Sequence, residues 1–421
     1  MGKIILALFL LVTALIPGQY WIHSSLGNDA WPGNSPDSAF ATLGAATVAM
    51  SGNDTAFACG VFNETFSLSN NIHEGCFLFA WPDSTKWTID GDSTRNCIQI
   101  GSYCGNIGEA FVTIIDGKII NSPANCITLG DKGSAKFQSC SLSTFDVGIY
   151  AITSQLLIED CYLNSGKFCL YLNASFARVS NTILTAETDY CIKGLEAGIF
   201  ISSQNEYYGY GGICGYSGIA GFFDEDAFYV DSIAVLAYRY PSQSYVFNKC
   251  LFTGSQLGIT TSYYSTNNPF VQFTNCTFDS VENPINMSGN RGAVKLLNCI
   301  ISNAGKAINS CDFIQTDGLI LFNCETETTN LGMPINYWSF DPELDSLKVA
   351  QADSARLIGI NTAYGLTAPL WDNRGKWFRS ESGIPVIGWR SPYNTEVSWP
   401  ESGASHVALK WGIIAPGRRL R

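Results

Sequence analysis

The sequence predicts an all-β protein, a single-stranded right-handed parallel β-helix, and three observations support this prediction. A short apolar block recurs along the 421 residues. The composition, with 40 Gly, 25 Phe and only 4 Met, is typical of β structure with many turns. Gly, Asn, Ser or Asp bound each block, and these residues commonly end strands. We therefore expect many short stacked strands and few helices.

The recurring block has an apolar first residue and, in nearly every copy, Cys as its fourth. Successive fourth positions are separated by 21 to 26 residues, except for a gap of about three such steps between Thr182 and Cys250. The copies lie at 137–142, 158–163, 179–184, 247–252, 273–278, 296–301 and 321–324. A second block has the same spacing in another phase, at 126–129, 148–150, 169–172, 191–192 and 213–214. Two phases per period predict at least two strands per coil.

Equivalent residues of such coils lie about 4.8 Å apart in parallel register, so like side chains stack on like. The pairs at 275–276, 298–299 and 323–324 are all Asn-Cys. We expect the Asn at a corner, bonded to its neighbours above and below, and the Cys beneath it as a small buried residue. These cysteines are predicted to be reduced. Cys97 and Cys104 are the best candidates for a disulfide.

The N-terminal region, residues 1–18, carries Lys3 and an apolar run at 4–16. The run is too short to span a membrane and fits a secretory signal peptide. The alternative is a retained apolar segment. Residues 19–58 are predicted to form an entry strand and a capping helix over 38–50, with Phe40, Leu43, Ala46 and Met50 on its buried face.

Residues 21–33, Trp-Ile-His-Ser-Ser-Leu-Gly-Asn-Asp-Ala-Trp-Pro-Gly, and 35–43, Ser-Pro-Asp-Ser-Ala-Phe-Ala-Thr-Leu, resemble the opening of the pectate-lyase-like parallel β-helix superfamily. Segments 354–359, 372–375 and 383–388 resemble the closing part of secreted "choice-of-anchor" β-helix proteins. The resemblance implies the fold alone, because this superfamily includes polysaccharide lyases, glycoside hydrolases, phage tailspikes, adhesins and structural proteins.

The parallel β-helix is expected over 59–335, and the chain changes character after it. Residues 336–421 lack the Asn-Cys spacing, are rich in Trp and end in a basic sequence. An open stack exposes strand edges, so this part is predicted to be a C-terminal cap. Since Trp and Arg are frequent in interfaces, the alternative is an oligomerisation region, with a homotrimer as the first form to test.

Composition and missing motifs exclude several function classes. A net charge of −12 without a basic stripe argues against nucleic acid. The three His residues form no motif, and there is no nucleotide-binding loop. We expect no metal and no cofactor. The polygalacturonase motifs Asn-x-Asp, Asp-Asp and Gly-His-Gly are absent.

The best candidate site lies in the Gly-rich and Tyr-rich stretch 205–226. Asp224, Glu225 and Asp226 are its candidate catalytic acids, as an acid/base pair. Candidate sugar-binding residues there and in a second aromatic patch are Tyr207, Tyr208, Tyr210, Tyr216, Tyr263 and Tyr264. The alternative interpretation is a solvated loop closing one coil, with the tyrosines packed on neighbouring coils.

A complete scaffold without a recognisable catalytic set predicts a non-catalytic structural or adhesive protein, extracellular or on a virion surface. Its expected partner is a polysaccharide, a cell-surface glycan or copies of itself. The alternative is a polysaccharide lyase or glycoside hydrolase, similar to a tailspike depolymerase, with its active site around 205–226. A phage assembly protein that keeps its apolar N-terminus is a third possibility.

Overall fold

The structure is a computed structural model that describes residues 17–73, 75–82, 87–101, 112–196, 198–215, 219–237, 244–261, 270–287, 293–311, 313–332, 334–344, 346, 362–363 and 366–367. The chain divides into two units, 1–221 and 222–421. The strand Ile219–Asp224 contains the boundary between them.

The first unit consists of short strands in two parallel sheets, and each complete coil adds one strand to the first sheet and two to the second. The first-sheet strands are Gln19–His23, Thr55–Cys59, Phe77–Ala80, Val112–Ile115, Ser134–Gln138, Gln155–Glu159, Phe176–Ser180 and Gly198–Ser203. The second-sheet strands are Val61–Phe62, Phe66–Ser69, Trp87–Asp90, Ile98–Gly101, Gly117–Ser122, Asn125–Leu129, Ser141–Thr144, Val147–Ile152, Tyr162–Ser165, Phe168–Asn173, Ile183–Leu195 and Glu206–Gly215. Ile183–Leu195 and Glu206–Gly215 each run through both second-sheet positions of one coil.

The register confirms the predicted repeat in this unit. Phe137 pairs with Ile158, and Ile158 pairs with Val179, so residues 21 apart along the chain are neighbours. All three are fully buried. The second block agrees as well, because Tyr150 pairs with Tyr171 in the adjacent coil. The parallel β-helix is therefore confirmed, with three strands per coil.

A left-handed residue follows each of several first-sheet strands and turns the chain into the second sheet. Ser139, Asp160 and Asn181 have φ of 54°, 55° and 51°. Asn, Asp and Ser tolerate this conformation better than bulky residues, which explains their recurrence at the corner. The next residue, for example Cys140 or Cys161, is buried. The fourth position of the repeat is thus an inward rung.

The second unit repeats this design. Its other first-sheet strands are Ser244–Asn248, Phe270–Thr274, Ala293–Leu297 and Phe313–Asp317. Its second-sheet strands are Ala227–Ala237, Leu251–Thr253, Leu257–Thr261, Thr277–Asp279, Asn283–Asn286, Ile300–Ser302, Lys306–Asn309, Ile320–Phe322 and Thr326–Thr329. Two short antiparallel strands, Thr362–Ala363 and Leu366–Thr367, also belong to it.

The predicted register of the last block, 321–324, is wrong. Ile300 pairs with Ile320 and Ile301 with Leu321, so the inward rung after Cys299 is Leu319 and not Cys324. Asn323 instead occupies the other corner of the coil, at φ 49°, and its amide donates to Asn303 Oδ1 at 2.7 Å. Both corners of a coil take Asn in this conformation, so the Asn-Cys pair does not distinguish them.

The helical segments are few and short. A 3-10 turn spans Pro36–Ser38 and two helices span Leu43–Ala49 and Asn70–His73. The first helix begins later than predicted because the Thr42 side chain caps it, accepting from the Ala45 N–H at 3.1 Å. Phe40, Leu43, Ala46 and Met50 are buried as expected. Their role as a cap stays a prediction.

None of the helices in the described parts of the chain is long and apolar enough to cross a membrane. The cysteines of these parts are free thiols, most of them buried. Cys104 lies outside the described residues, so the predicted bridge to Cys97 stays a prediction. The Trp-rich part beyond residue 367 lies outside them as well.

Candidate functional site

The three candidate acids lie at one corner of the second unit. Asp224 ends a first-sheet strand, Glu225 occupies the left-handed corner at φ 59°, and Asp226 takes the inward rung that Cys fills elsewhere. Ala227 pairs with Leu251, which aligns Asp226 with Cys250 of the next coil. The chain therefore brings the acids together through the repeat itself and not through an irregular loop.

Lys249 occupies the corner of the next coil and neutralises part of this charge. Its Nζ lies 3.0 Å from Asp224 Oδ1 and 3.3 Å from Glu225 Oε1. The Asn248 amide donates to the same Asp224 oxygen at 2.6 Å. The side chains of Lys249 and Glu225 are 3% and 1% exposed, whereas that of Asp224 is 29% exposed.

This arrangement limits what the acids can do to a polymer. Glycoside hydrolysis requires two carboxyl groups that flank the scissile bond from opposite sides. Asp226 is 0% exposed and Glu225 is buried at the corner, so neither faces a groove that a chain of sugars could enter. The geometry fits a buried polar cluster better than an acid/base pair. The catalytic assignment stays a prediction.

The candidate tyrosines are divided between core and surface. Tyr207 is fully buried, with its hydroxyl 2.6 Å from Ser202 Oγ. Tyr208 is half-buried and donates to Glu206 at 2.7 Å. Tyr210 is 45% exposed and meets the Tyr190 ring edge to face at 6.4 Å. Tyr216, Tyr263 and Tyr264 lie outside the described residues.

The outer surface of the second sheet in the first unit carries a cluster that sequence reasoning missed. It consists of Tyr150, Lys167, Tyr171 and Lys193 together with the buried Phe168, and we call it the aromatic-lysine face. Tyr150, Tyr171 and Lys193 form one column of register partners on successive coils. Since their flanking residues on each strand point inward, strand alternation directs all three outward.

The rings and ammonium groups of the aromatic-lysine face contact one another directly. Tyr150 and Tyr171 are stacked with centroids 4.9 Å apart. Lys193 Nζ lies 4.7 Å from the Phe168 centroid and 5.7 Å from that of Tyr171, and Lys167 Nζ lies 5.3 Å from Phe168. Such cation–π contacts hold an ammonium beside an aromatic ring. Burial raises the pKa of Tyr171, and the neighbouring Tyr150 adds to this shift.

The signal for this face was present in the sequence. The second repeated block places Tyr150 and Tyr171 at the same position of successive coils, and Lys193 follows at that position in 191–193. The repeat alone predicts the strands, whereas the outward column becomes visible only when equivalent positions of successive coils are compared. Tyr190 lies on the same strand as Lys193. Tyr210 lies on the next strand of this sheet, which is part of the candidate stretch.

A second aromatic cluster lies on the outer surface of the first sheet. Trp21, Phe57 and Phe79 are register partners, with ring centroids 4.7 Å and 6.0 Å apart. Trp81 meets Trp21 edge to face at 4.9 Å. All four are half-buried. His23 meets Trp81 edge to face at 5.5 Å, so this cluster combines large apolar rings with a few nitrogen groups.

No group of three or more His, Cys, Asp or Glu side chains in the described ranges has the geometry of a metal site. Two buried thiols have a raised pKa, which disfavours metal binding. Burial raises the pKa of Cys76 to about 11 and that of Cys214 to about 12. A thiol with so high a pKa stays protonated, whereas a metal ligand must lose its proton.

No protein-family model and no curated protein matches the chain. Among solved structures, the surface adhesin PfbA of Streptococcus pneumoniae is 11% identical, with a TM-score of 0.48 over 69% of this chain and 86% of that one. XylC in complex with xylose is 8% identical, with a TM-score of 0.49 over 78% and 87%. Pectate lyase Pel9A is 13% identical, with a TM-score of 0.40 over 93% and 96%. These likenesses concern the fold and not the activity. The parallel coils themselves agree with the resemblance to the pectate-lyase-like superfamily.

Proposed function

We propose that this protein is a non-catalytic structural or adhesive β-helix that binds glycans through the aromatic-lysine face of its first unit. The observation behind the proposal is the outward column of Tyr150, Tyr171 and Lys193. A sugar combines apolar C–H groups with many hydroxyls. Tyrosine edges offer both apolar contact and a hydroxyl, so the column matches that chemistry.

The two ammonium groups favour an acidic sugar over a neutral one. The chain carries a net charge of −12, so an anionic polymer is repelled on average and needs a local positive patch. Lys193 and Lys167 place two ammonium groups beside the aromatic rings of this face. We therefore expect binding of uronate-containing or sialylated glycans that weakens as salt is added.

The state of the candidate acids supports a binding protein rather than an enzyme. Glu225 and Asp226 are buried, and Asp224 is paired with Lys249 and Asn248. The proposal includes a location outside the cell or on a virion surface, because the protein could contact cell-surface glycans there. Association of several copies, including a trimer, would add avidity to a weak single site.

Retention on immobilised acidic and neutral polysaccharides tests the proposal. The wild type is expected to be retained on acidic polysaccharides, and the double variant Tyr150→Ala, Tyr171→Ala is expected to lose retention. Tyr162→Ala is the matched control, since Tyr162 is 44% exposed on the same sheet but outside the face. Equal retention of all three proteins would reject the site.

Reducing-end and unsaturated-product assays on the same polysaccharides test the non-catalytic part. We expect no product. Turnover by the wild type that disappears in Asp224→Asn would overturn this part and establish the lyase or hydrolase alternative.

A further inference from the structure

Lys249 is an unusual residue for its position. In the two following coils the same corner holds Asn275 and Asn298, at φ 53° and 50°, and Lys249 adopts φ 54°. Lysine is almost never fully buried unless it is paired, yet this residue is 2% exposed. Its Nζ is held between two carboxyl groups of the preceding coil.

Lys249 is buried, and burial favours the uncharged form of its amine. Two carboxyl groups of the preceding coil, those of Asp224 and Glu225, form salt bridges with Lys249 at this corner. Removing an ammonium group from water is costly unless it is paired. A neutral lysine amine is a nucleophile, and desolvation is one way in which proteins activate it.

We propose that Lys249 and Asp224 condense spontaneously into an intramolecular isopeptide bond that links two successive coils of the second unit. The coils are adjacent, because the Glu225 N–H donates to the Asn248 carbonyl at 2.9 Å. The Nζ–Oδ1 distance of 3.0 Å places the amine in direct contact with the carboxyl group that it would attack.

The reaction balances without an external reagent. A proton passes from the Lys249 ammonium to the Asp224 carboxylate, the neutral Nζ attacks Asp224 Cγ, the Nζ–Cγ bond forms, and the Cγ–OH bond breaks. Glu225 accepts a proton from Nζ and delivers it to the departing oxygen, so that one water molecule leaves. No atom is oxidised or reduced.

The geometry assigns different roles to the two neighbouring acids. Asp224 Oδ1 accepts from the Asn248 amide at 2.6 Å, a contact that stabilises negative charge developing on this oxygen. Its 29% exposure gives the water a route to solvent. Glu225 Oε1 is 3.3 Å from Nζ and the side chain is buried, which suits a proton carrier.

Peptide mapping by mass spectrometry of the reduced, denatured full-length protein tests the bond. Trypsin cleaves after Lys193, Arg239, Lys249 and Arg291 when nothing blocks it. The linked protein is expected to give peptide 194–239 joined to 240–291, uncut after Lys249 and lighter by one water than the two peptides together. Separate peptides 194–239 and 240–249 at the unmodified mass would overturn the proposal.

Two conservative variants separate the covalent bond from an ion pair. Lys249→Arg keeps the positive charge but lacks a nucleophilic amine, so the joined peptide is expected to disappear. Glu225→Gln keeps both reacting groups and removes the proton carrier, and its linked fraction is expected to fall at least tenfold. A joined peptide at wild-type yield in Glu225→Gln would refute the role of Glu225.

Discussion

Lys249 illustrates how one substitution in a repeat changes the chemistry of a corner. The corner conformation itself selects Asn, Asp, Ser or Gly by backbone sterics. The Lys249 side chain is buried, and its ammonium group is paired with acids of the coil before it. Lys249 and the sequence 224–226 therefore depend on each other.

Replacing Lys249 by Ala is expected to destabilise the protein by about 3 to 5 kcal/mol, because it leaves buried carboxyl groups without their partner. Lys136→Ala is the matched control. Lys136 pairs with Glu159 at 2.8 Å, but their side chains are 26% and 31% exposed, and such a pair contributes about 0 to 1 kcal/mol. Denaturant unfolding of both variants measures the difference. Similar losses of unfolding free energy in the two variants would contradict a buried ion pair at Lys249.

Single residues of the candidate site were predicted less well than the strands around them. The tyrosines and acids of the stretch 205–226 predict a site there, yet Tyr207 faces the core while Tyr210 faces solvent. Composition does not contain this information, because a one-residue change in the phase of a strand exchanges its two faces. Only the register with Leu184 and its neighbours fixes that phase.

At the scale of elements, stacked aromatic columns stabilise the second unit. Phe228, Phe252 and Phe278 are fully buried, with successive centroids 4.8 Å and 4.6 Å apart and nearly parallel planes. The spacing equals the distance between parallel strands. Each ring is therefore packed by its equivalents in the coils before and after it.

Phe252→Ala is expected to cost about 3 to 5 kcal/mol, because it removes the middle ring of this column and leaves a cavity. Phe313 is 51% exposed on a strand of the same unit, so Phe313→Ala is expected to stay within about 0.5 kcal/mol of the wild type. Thermal or urea unfolding compares the two. An equal loss for both variants would contradict the stacked column.

The elements themselves could be predicted wherever the repeat was regular. Spacing alone predicts the strands after Cys140 and Cys161, because similar residues recur at equal intervals along the chain. The prediction failed at 321–324, where the coil is shorter and Cys299 is followed by Leu319 after 20 residues. A similar Asn-Cys pair at the second corner concealed the shorter coil.

At the scale of the whole molecule, two buried thiols, those of Cys76 and Cys214, predict how stability depends on pH. An ordinary thiol loses its proton near pH 9, whereas the pKa of Cys76 is raised to about 11 and that of Cys214 to about 12. Between these values the unfolded chain binds fewer protons than the folded one. The free energy of unfolding must then fall as pH rises.

We therefore expect the unfolding midpoint to decrease steadily from pH 9 to pH 11, as measured by denaturant titration at each pH. Cys76→Ala is expected to show a shallower decrease, because it removes one of the shifted groups. A wild-type midpoint that stays constant or rises over this range would contradict the burial of these thiols.

The central claim for the whole molecule is that the aromatic-lysine face binds a glycan, while the acids at 224–226 serve the scaffold. Isothermal titration with an acidic polysaccharide retained by the wild type tests both halves in one measurement. Tyr150→Ala, Tyr171→Ala is expected to weaken the Kd at least about tenfold, or ~1.4 kcal/mol, and Asp224→Asn to leave it unchanged. The reverse pattern, with binding lost in Asp224→Asn and kept in the double tyrosine variant, would contradict the account.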